Sequence, residues 1–243
     1  MIDWYVKSLS TYSGDVDRLV WLITILVGFW FFAAEGMFFW LIFRFRARPG
    51  VPAQYVTGKE PHLKRWINIP HMLILVCDVV IVAAAVMVWV KVKQTLPPAD
   101  EVVRVTGQQW TWTFQQPGPD GILDTADDIR AEDTLHVEVN KTVQFQLESK
   151  DVVHSFFIPV FRLKQDAVPG RTITGWFKAT RPGVHDISCT QICGVAHGLM
   201  SAQIVIETPE QHAAWMRANS APAAAALAAT RATPVAPSGA VPN

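Results

Sequence analysis

The sequence predicts a two-helix transmembrane hairpin followed by an all-β sandwich domain. Three features of the 243 residues carry that prediction: two long apolar runs near the N-terminus, an abrupt change of composition after residue 92, and period-two apolar alternation through residues 102–206. Only 17% of residues are charged, against about 25% in an ordinary soluble domain. The deficit is therefore concentrated where the apolar runs lie.

The first run, residues 19–43, reads LVWLITILVGFWFFAAEGMFFWLIF and holds one charge, Glu35. The second, residues 70–92, opens with PHMLILVCDVVIVAAAVMVWV, in which Asp78 is the only formal charge. A bilayer core takes about 20 apolar residues as helix, so both runs are expected to span the lipid bilayer. Buried core helices are the competing explanation, and runs this long disfavour it. Trp21, Trp40 and Trp89 fall near the ends, at the level of the headgroups. Cys77 in the second run reads as a small apolar residue.

Charge sets the orientation. Residues 44–69 carry Arg44, Arg46, Arg48, Lys59, Lys64 and Arg65 against Glu60, which makes them a basic inner loop. The N-terminal segment 1–18 and everything after the second span then lie outside. No basic start followed by a short apolar run and a small-residue cleavage site precedes the first span, so a cleavable leader is not expected.

The outside domain is assigned to residues 98–210. Leu135, Val137 and Val139 alternate, as do Val143, Phe145 and Leu147, with a turn at Asn140-Lys141. Ile173, Trp176 and Phe177 follow a Pro169-Gly170 turn, and residues 202–206 make a last strand. A sandwich of roughly 100 residues suits this spacing. Residues 211–243 are read as a short helix and a disordered Ala/Pro-rich tail. With 21 basic and 21 acidic residues, the chain lacks the basic excess of a nucleic-acid binder. Its three cysteines do not make a disulfide-dense scaffold.

Two of those cysteines stand in a cluster. Cys189, Cys193, His197 and Met200 follow the pattern C-x3-C-x3-H-x2-M. Thiolate with thioether selects copper, because zinc sites use Cys and His without Met and hard cations take oxygen. A mononuclear blue-copper site needs one Cys, two His and a Met; here a second Cys allows two thiolates to bridge two ions. His154, in Asp151-Val-Val-His154-Ser-Phe, is the candidate second imidazole. A Cys189–Cys193 disulfide is the competing explanation of the pair outside the cytoplasm.

These features together resemble subunit II of the haem-copper cytochrome c oxidases. Further similar stretches are Gly107-Gln-Gln-Trp110-Thr-Trp112, Lys164-Gln-Asp166-Ala-Val-Pro169-Gly170-Arg171, and Trp66 with Pro70 ahead of the second span. The resemblance implies a cupredoxin-like sandwich holding a dinuclear copper (CuA) centre, with Cys189 and Cys193 bridging and His154 and His197 capping. Met200 would be a weak ligand and the backbone carbonyl of Gln191 the last. It implies that Trp110 receives electrons from cytochrome c; Trp112 is read as core packing. Electrons then pass to haem in subunit I, where oxygen is reduced to water coupled to proton translocation, so no oxygen-reducing site is expected on this chain. Partners implied are subunit I, other oxidase subunits and a cytochrome c or similar donor. The implied location is a bacterial inner membrane, with the copper domain on its outer face.

The chain departs from the family pattern in two places. Gln191 stands where the family has a glutamate that reaches a magnesium at the subunit I contact, and a neutral amide weakens that site. Leu63 stands where an acid opens a proton path, with Glu60 or His62 as substitutes. Glu35 and Asp78 are read as contacts with subunit I. Asp120, Asp124, Asp127, Asp128, Glu132 and Asp133 against Arg130 make a local charge of minus five, which would steer a basic cytochrome, hold calcium, or simply be solvated. The CuA subunit of a nitric oxide reductase and a membrane-tethered copper-delivery protein are the alternative functions.

Overall fold

The computed structural model describes residues 7–52 and 57–220. The first six residues, residues 53–56 of the basic connection and the Ala/Pro-rich stretch 221–243, expected to be a disordered tail, lie outside the described residues. Among the described residues, those between 14 and 95 form one compact unit, and 7–13 together with 96–220 form the other.

The first unit contains helix α1 (Ser13–Arg44) and helix α2 (Pro61–Trp89), the latter continued by a π-helical turn, Val90–Gln94. Both are long and apolar enough to cross a membrane. Neither has a conventional core-facing stripe: Phe31, Phe32, Ile67 and Val76 are all more than half exposed, as expected of helices that are apolar all round. The Trp30 indole N–H donates to Cys77 Sγ at 3.3 Å, a polar tie between the helices. At the other end Arg18 and Lys91 both pair with Asp15. Helix α2 begins well before the apolar run, with Pro61 in its first turn, where proline is tolerated, and Pro70 inside it. Part of the basic connection is thus helical. Ahead of it, the Thr57 hydroxyl and N–H donate to Glu60 and hold its carboxyl down at about 2.

The second unit is a sandwich of two five-stranded sheets. Its strands are β1 (Glu101–Gln108), β2 (Thr111–Gln116), β3 (Ile129–Glu132), β4 (Thr134–Glu138), β5 (Thr142–Ser149), β6 (His154–Ile158), β7 (Leu163–Ala167), β8 (Ile173–Lys178), β9 (Gly183–Cys189) and β10 (Ser201–Glu207). One sheet runs β3-β2-β1-β5-β8, the other β4-β10-β9-β6-β7. Val103, Val105, Trp112, Phe114, Phe145 and Leu147 from the first sheet meet Leu135, Val137, Phe156, Ile158, Ile187 and Ile204 from the second, all fully buried. Their period of two is the alternation visible in the sequence.

The turn at Asn140 is present, with that residue in the left-handed region at φ 63°, a conformation asparagine tolerates. It carries the chain from one sheet to the other instead of folding a hairpin. Val139 lies in the turn, its N–H on Glu207 O at 2.9 Å. After β10, helix α3 (Pro209–Asn219) starts in a capping box between Thr208 and Gln211.

Residues just before α1 are strapped onto the sandwich. Leu9 N–H donates to Val160 O and Thr180 N–H to Leu9 O, Ser10 bridges Ala179, and the fully buried Tyr12 donates its hydroxyl to Trp176 O at 3.2 Å.

The acidic stretch is wired into the fold. Arg104 on β1 grips Asp124 through two bonds of 2.7 and 3.0 Å. Gln115 donates to Asp124 and Asp128, and Asp133 accepts from the Thr111 hydroxyl and Trp112 N–H. The Arg104 guanidinium holds the Asp124 carboxyl below the ordinary carboxylate range. A lowered folded pKa stabilises above the unfolded value, about 3.9 for Asp, and that stability is lost as pH falls through the folded value. Asp124→Asn is therefore expected to lower the denaturation midpoint at pH 7, and the two proteins should converge in acid once pH has fallen through the lowered folded value.

Candidate metal centre

The site sits at one pole of the sandwich, where β6 begins and the β9–β10 loop leaves. Pairing of Phe156 with Cys189 across β6 and β9 sets His154, two residues before Phe156, beside the end of β9. His154 is completely buried, Cys189, Cys193 and Met200 are nearly so, and His197 is partly exposed.

Around Cys189, His154 Nδ1 lies 4.0 Å from Sγ and Gln191 O lies 3.3 Å from it. Around Cys193, His197 Nδ1 lies at 3.5 Å and Met200 Sδ at 3.8 Å from Sγ. The two sulfurs are 3.9 Å apart, unbonded thiols. The structure thus brings together all six ligand positions suggested by the sequence, in two groups that meet at the thiols. His154, Cys189 and Cys193 form a buried cluster able to hold a metal ion, with ligand atoms within 4.8 Å of one another.

Burial, and next the neighbouring Cys189, push the Cys193 thiol up to about 11. A metal must displace such protons, since thiolate is the ligand form.

Neighbouring residues orient the ligands. Asp151 Oδ1 accepts from His154 Nε2 at 2.8 Å. Because a carboxylate only accepts, Nε2 carries the hydrogen of this bond, and Nδ1 is the nitrogen that faces Cys189. Burial works to raise the Asp151 carboxyl, but the Gln109 and Val152 N–H groups and His154 outweigh it and hold it low. Gly107 leaves room for the His154 ring: a Cβ there would lie 3.0 Å from His154 Cδ2. The backbone closes the loop through Cys189 N–H on Met200 O and Thr190 N–H on Ser155 O, both 3.1 Å.

The two tryptophans differ sharply. Trp112 is wholly buried, edge-on to His154 and Phe156 with ring centroids 6.0 and 5.4 Å away, and is a core residue as expected. Trp110 is 40% exposed, and its indole lies against Gly194, next to Cys193. Gln191 is exposed. Asp151 and Gln109 are contributors to which the sequence reading gave no role; the signals were an acid three residues before the candidate histidine and the place of Gln109 directly before Trp110 in the Gly107–Trp112 stretch.

The chain is similar to known proteins. The model of the family described as cytochrome c oxidase subunit II, periplasmic domain, matches residues 101–208. The chain is 29% identical over 235 residues to the alternative cytochrome c oxidase subunit 2 of Bradyrhizobium diazoefficiens, covering 88% of this chain and 83% of that one. It is 31% identical over 243 residues to cytochrome c oxidase subunit 2 of Cereibacter sphaeroides, covering 87% and 78%. The crystal structure of the periplasmic domain of subunit II of cytochrome oxidase of Bradyrhizobium japonicum is similar at 28% identity and a TM-score of 0.47, over 51% of this chain and 96% of that chain. With the relation running through the spans as well as the sandwich, the chain belongs to the cytochrome c oxidase subunit II family.

Proposed function

We propose that this chain is the electron-input subunit of a respiratory haem-copper oxidase, accepting electrons from cytochrome c or a similar donor at a dinuclear CuA centre and passing them to haem in subunit I. The observation that carries this reading is the donor set: two thiols 3.9 Å apart, each flanked by one imidazole nitrogen and one weaker donor, Gln191 O or Met200 Sδ. Thiolate, imidazole and thioether suit copper, and a thioether would stand idle at zinc. Held by Cys189, Cys193, His154, His197, Met200 and the Gln191 carbonyl, a dicopper centre would supply one-electron relay chemistry.

The protein's own contribution is to hold the donors and keep water away. His154 is presented through one nitrogen by Asp151, an outer-shell contact that fixes the ring. The Trp110 indole offers an exposed starting point for a short path that crosses a non-bonded gap to Gly194 and continues through bonds to Cys193. Gln191 keeps a carbonyl for copper and has only an amide for magnesium, a poor substitute for a carboxylate at a hard cation.

The assembly reading follows from exposure and charge. The ligand loop exposes Ile192, Val195 and Leu199, an apolar rim suited to a neighbouring oxidase subunit. Glu35 and Asp78 are exposed on apolar helices, where a charge must face protein, here subunit I. The strap sets residues 9–12 against the sandwich. Both would lie on the outer face of a bacterial inner membrane, with the basic loop inside.

Metal analysis and EPR of the purified complex test the proposal. Two coppers sharing one unpaired electron at this site are expected; a mononuclear copper signal or zinc at the cysteines would refute it.

A further inference from the structure

We infer that Gln109 is a positioning residue for electron input, a clamp that holds the Trp110 indole against the cysteine loop. The inference rests on reading Trp110 as the donor-side port.

Gln109 lies between β1 and β2 and touches both halves of the site. Its main-chain N–H donates to Asp151 Oδ2 at 2.7 Å, while Asp151 Oδ1 accepts from His154. Its side-chain Nε2 donates to Cys193 O at 2.6 Å. One residue therefore binds the carboxylate that orients an imidazole ligand and the carbonyl of a thiol ligand.

The residue after Cys193 completes the arrangement. Gly194 adopts φ +131°, and a Cβ there would lie 2.8 Å from Gln109 Nε2 and 3.1 Å from Trp110 Nε1. No other residue type combines that backbone with that clearance. The indole consequently rests on the backbone bonded directly to Cys193.

Chemistry selects glutamine here. The Cys193 carbonyl needs a donor, which a carboxylate cannot supply and an aliphatic side chain lacks. Asparagine is one methylene shorter. Trp110 is partly exposed in the β1–β2 connection; the neighbouring clamp keeps the underlying loop in register with it.

The complete oxidase provides the test, with Gln109→Leu and Trp110→Phe compared with the parent. In Gln109→Leu, copper content and the EPR spectrum should be retained and KM for the reduced cytochrome should stay within about twofold. The rate of electron input should fall about tenfold, the lower range for loss of an outer-shell partner. In the metal-free complex, amide hydrogen exchange across residues 190–194 should accelerate, a readout independent of turnover. An unchanged input rate in Gln109→Leu, alongside a slowed Trp110→Phe, overturns the positioning role and leaves the port intact. An unchanged rate in Trp110→Phe overturns the port reading and the inference together, whatever the exchange shows. Loss of copper in Gln109→Leu also overturns the inference, since the residue would then serve only to hold the ligand loop.

Discussion

In a complete oxidase carrying Cys193→Ser, electron input from the donor is expected to fall by about a hundredfold or more, the upper range for outer-shell changes being the least that loss of a ligand should cost. Cys193 is the sulfur nearest to His197 Nδ1 and Met200 Sδ and is 3.9 Å from Cys189, so its loss dismantles one whole group of donors and the contact between groups. A serine hydroxyl is a hard, neutral donor and does not replace a thiolate at copper. Copper should fall by about two ions per complex, with the haems retained. Stopped-flow reduction and metal analysis measure both. If the variant complex works normally in ample copper and fails only when copper is scarce, the chain delivers copper instead of relaying electrons.

The second large effect concerns the floor of the site. Trp112→Ala should destabilise the sandwich by about 3–5 kcal/mol, the usual cost of emptying a buried indole site. Trp112 is the largest fully buried side chain and touches both Phe156 and His154 edge-on, so the cavity would open directly beneath a ligand. Copper affinity should fall along with stability. Trp112→Phe should cost less than half as much, because the buried Trp112 N–H has no acceptor among the described residues and removing an unpaired donor recovers part of the lost packing. Denaturant unfolding of the full chain in detergent, followed by near-UV circular dichroism, gives the ranking; an alanine variant as stable as the parent would contradict this account of the core.

The pH behaviour of Asp124 and the effects at Gln109 are smaller and separate cleanly from these two. Asp124 lies in the acidic stretch and Gln109 in the β1–β2 connection. Neither substitution removes a candidate ligand.

The features legible in the sequence are those that physics makes local. Apolar content summed along residues 19–43 and 70–92 is enough to specify membrane-capable helices, because a helix satisfies its own backbone. Alternation at Val143, Phe145 and Leu147 marks one buried face for the same reason, since side-chain direction follows from strand geometry alone. The four donors from Cys189 to Met200 stand close in sequence, so one loop gathers them.

The rest depends on which distant segments become neighbours. Asn140 reads as a turn, yet nothing local says that β4 and β5 belong to different sheets. The inner loop reads as basic and polar, whereas Pro61 starts α2 inside it. The acids from Asp120 to Asp133 read as a steering patch, a calcium loop or a solvated segment, and no local pattern shows that Arg104, on another strand, takes up Asp124. Gln109 and Asp151 look like ordinary polar residues at strand ends until they are placed 2.7 Å apart with His154 and Cys193 as their other partners.

By itself, then, the sequence determined two spans, a strand-rich domain and the chemical character of a soft-donor site, because composition, periodicity and ligand type are properties of short segments. Only the tertiary structure decided that His154 meets Cys189, that the indole of Trp110 rests beside Cys193, and that Gln109 joins the two halves of the site. Those contacts span tens of residues along the chain, and they follow from strand pairing and sheet packing, whose partners no local pattern names.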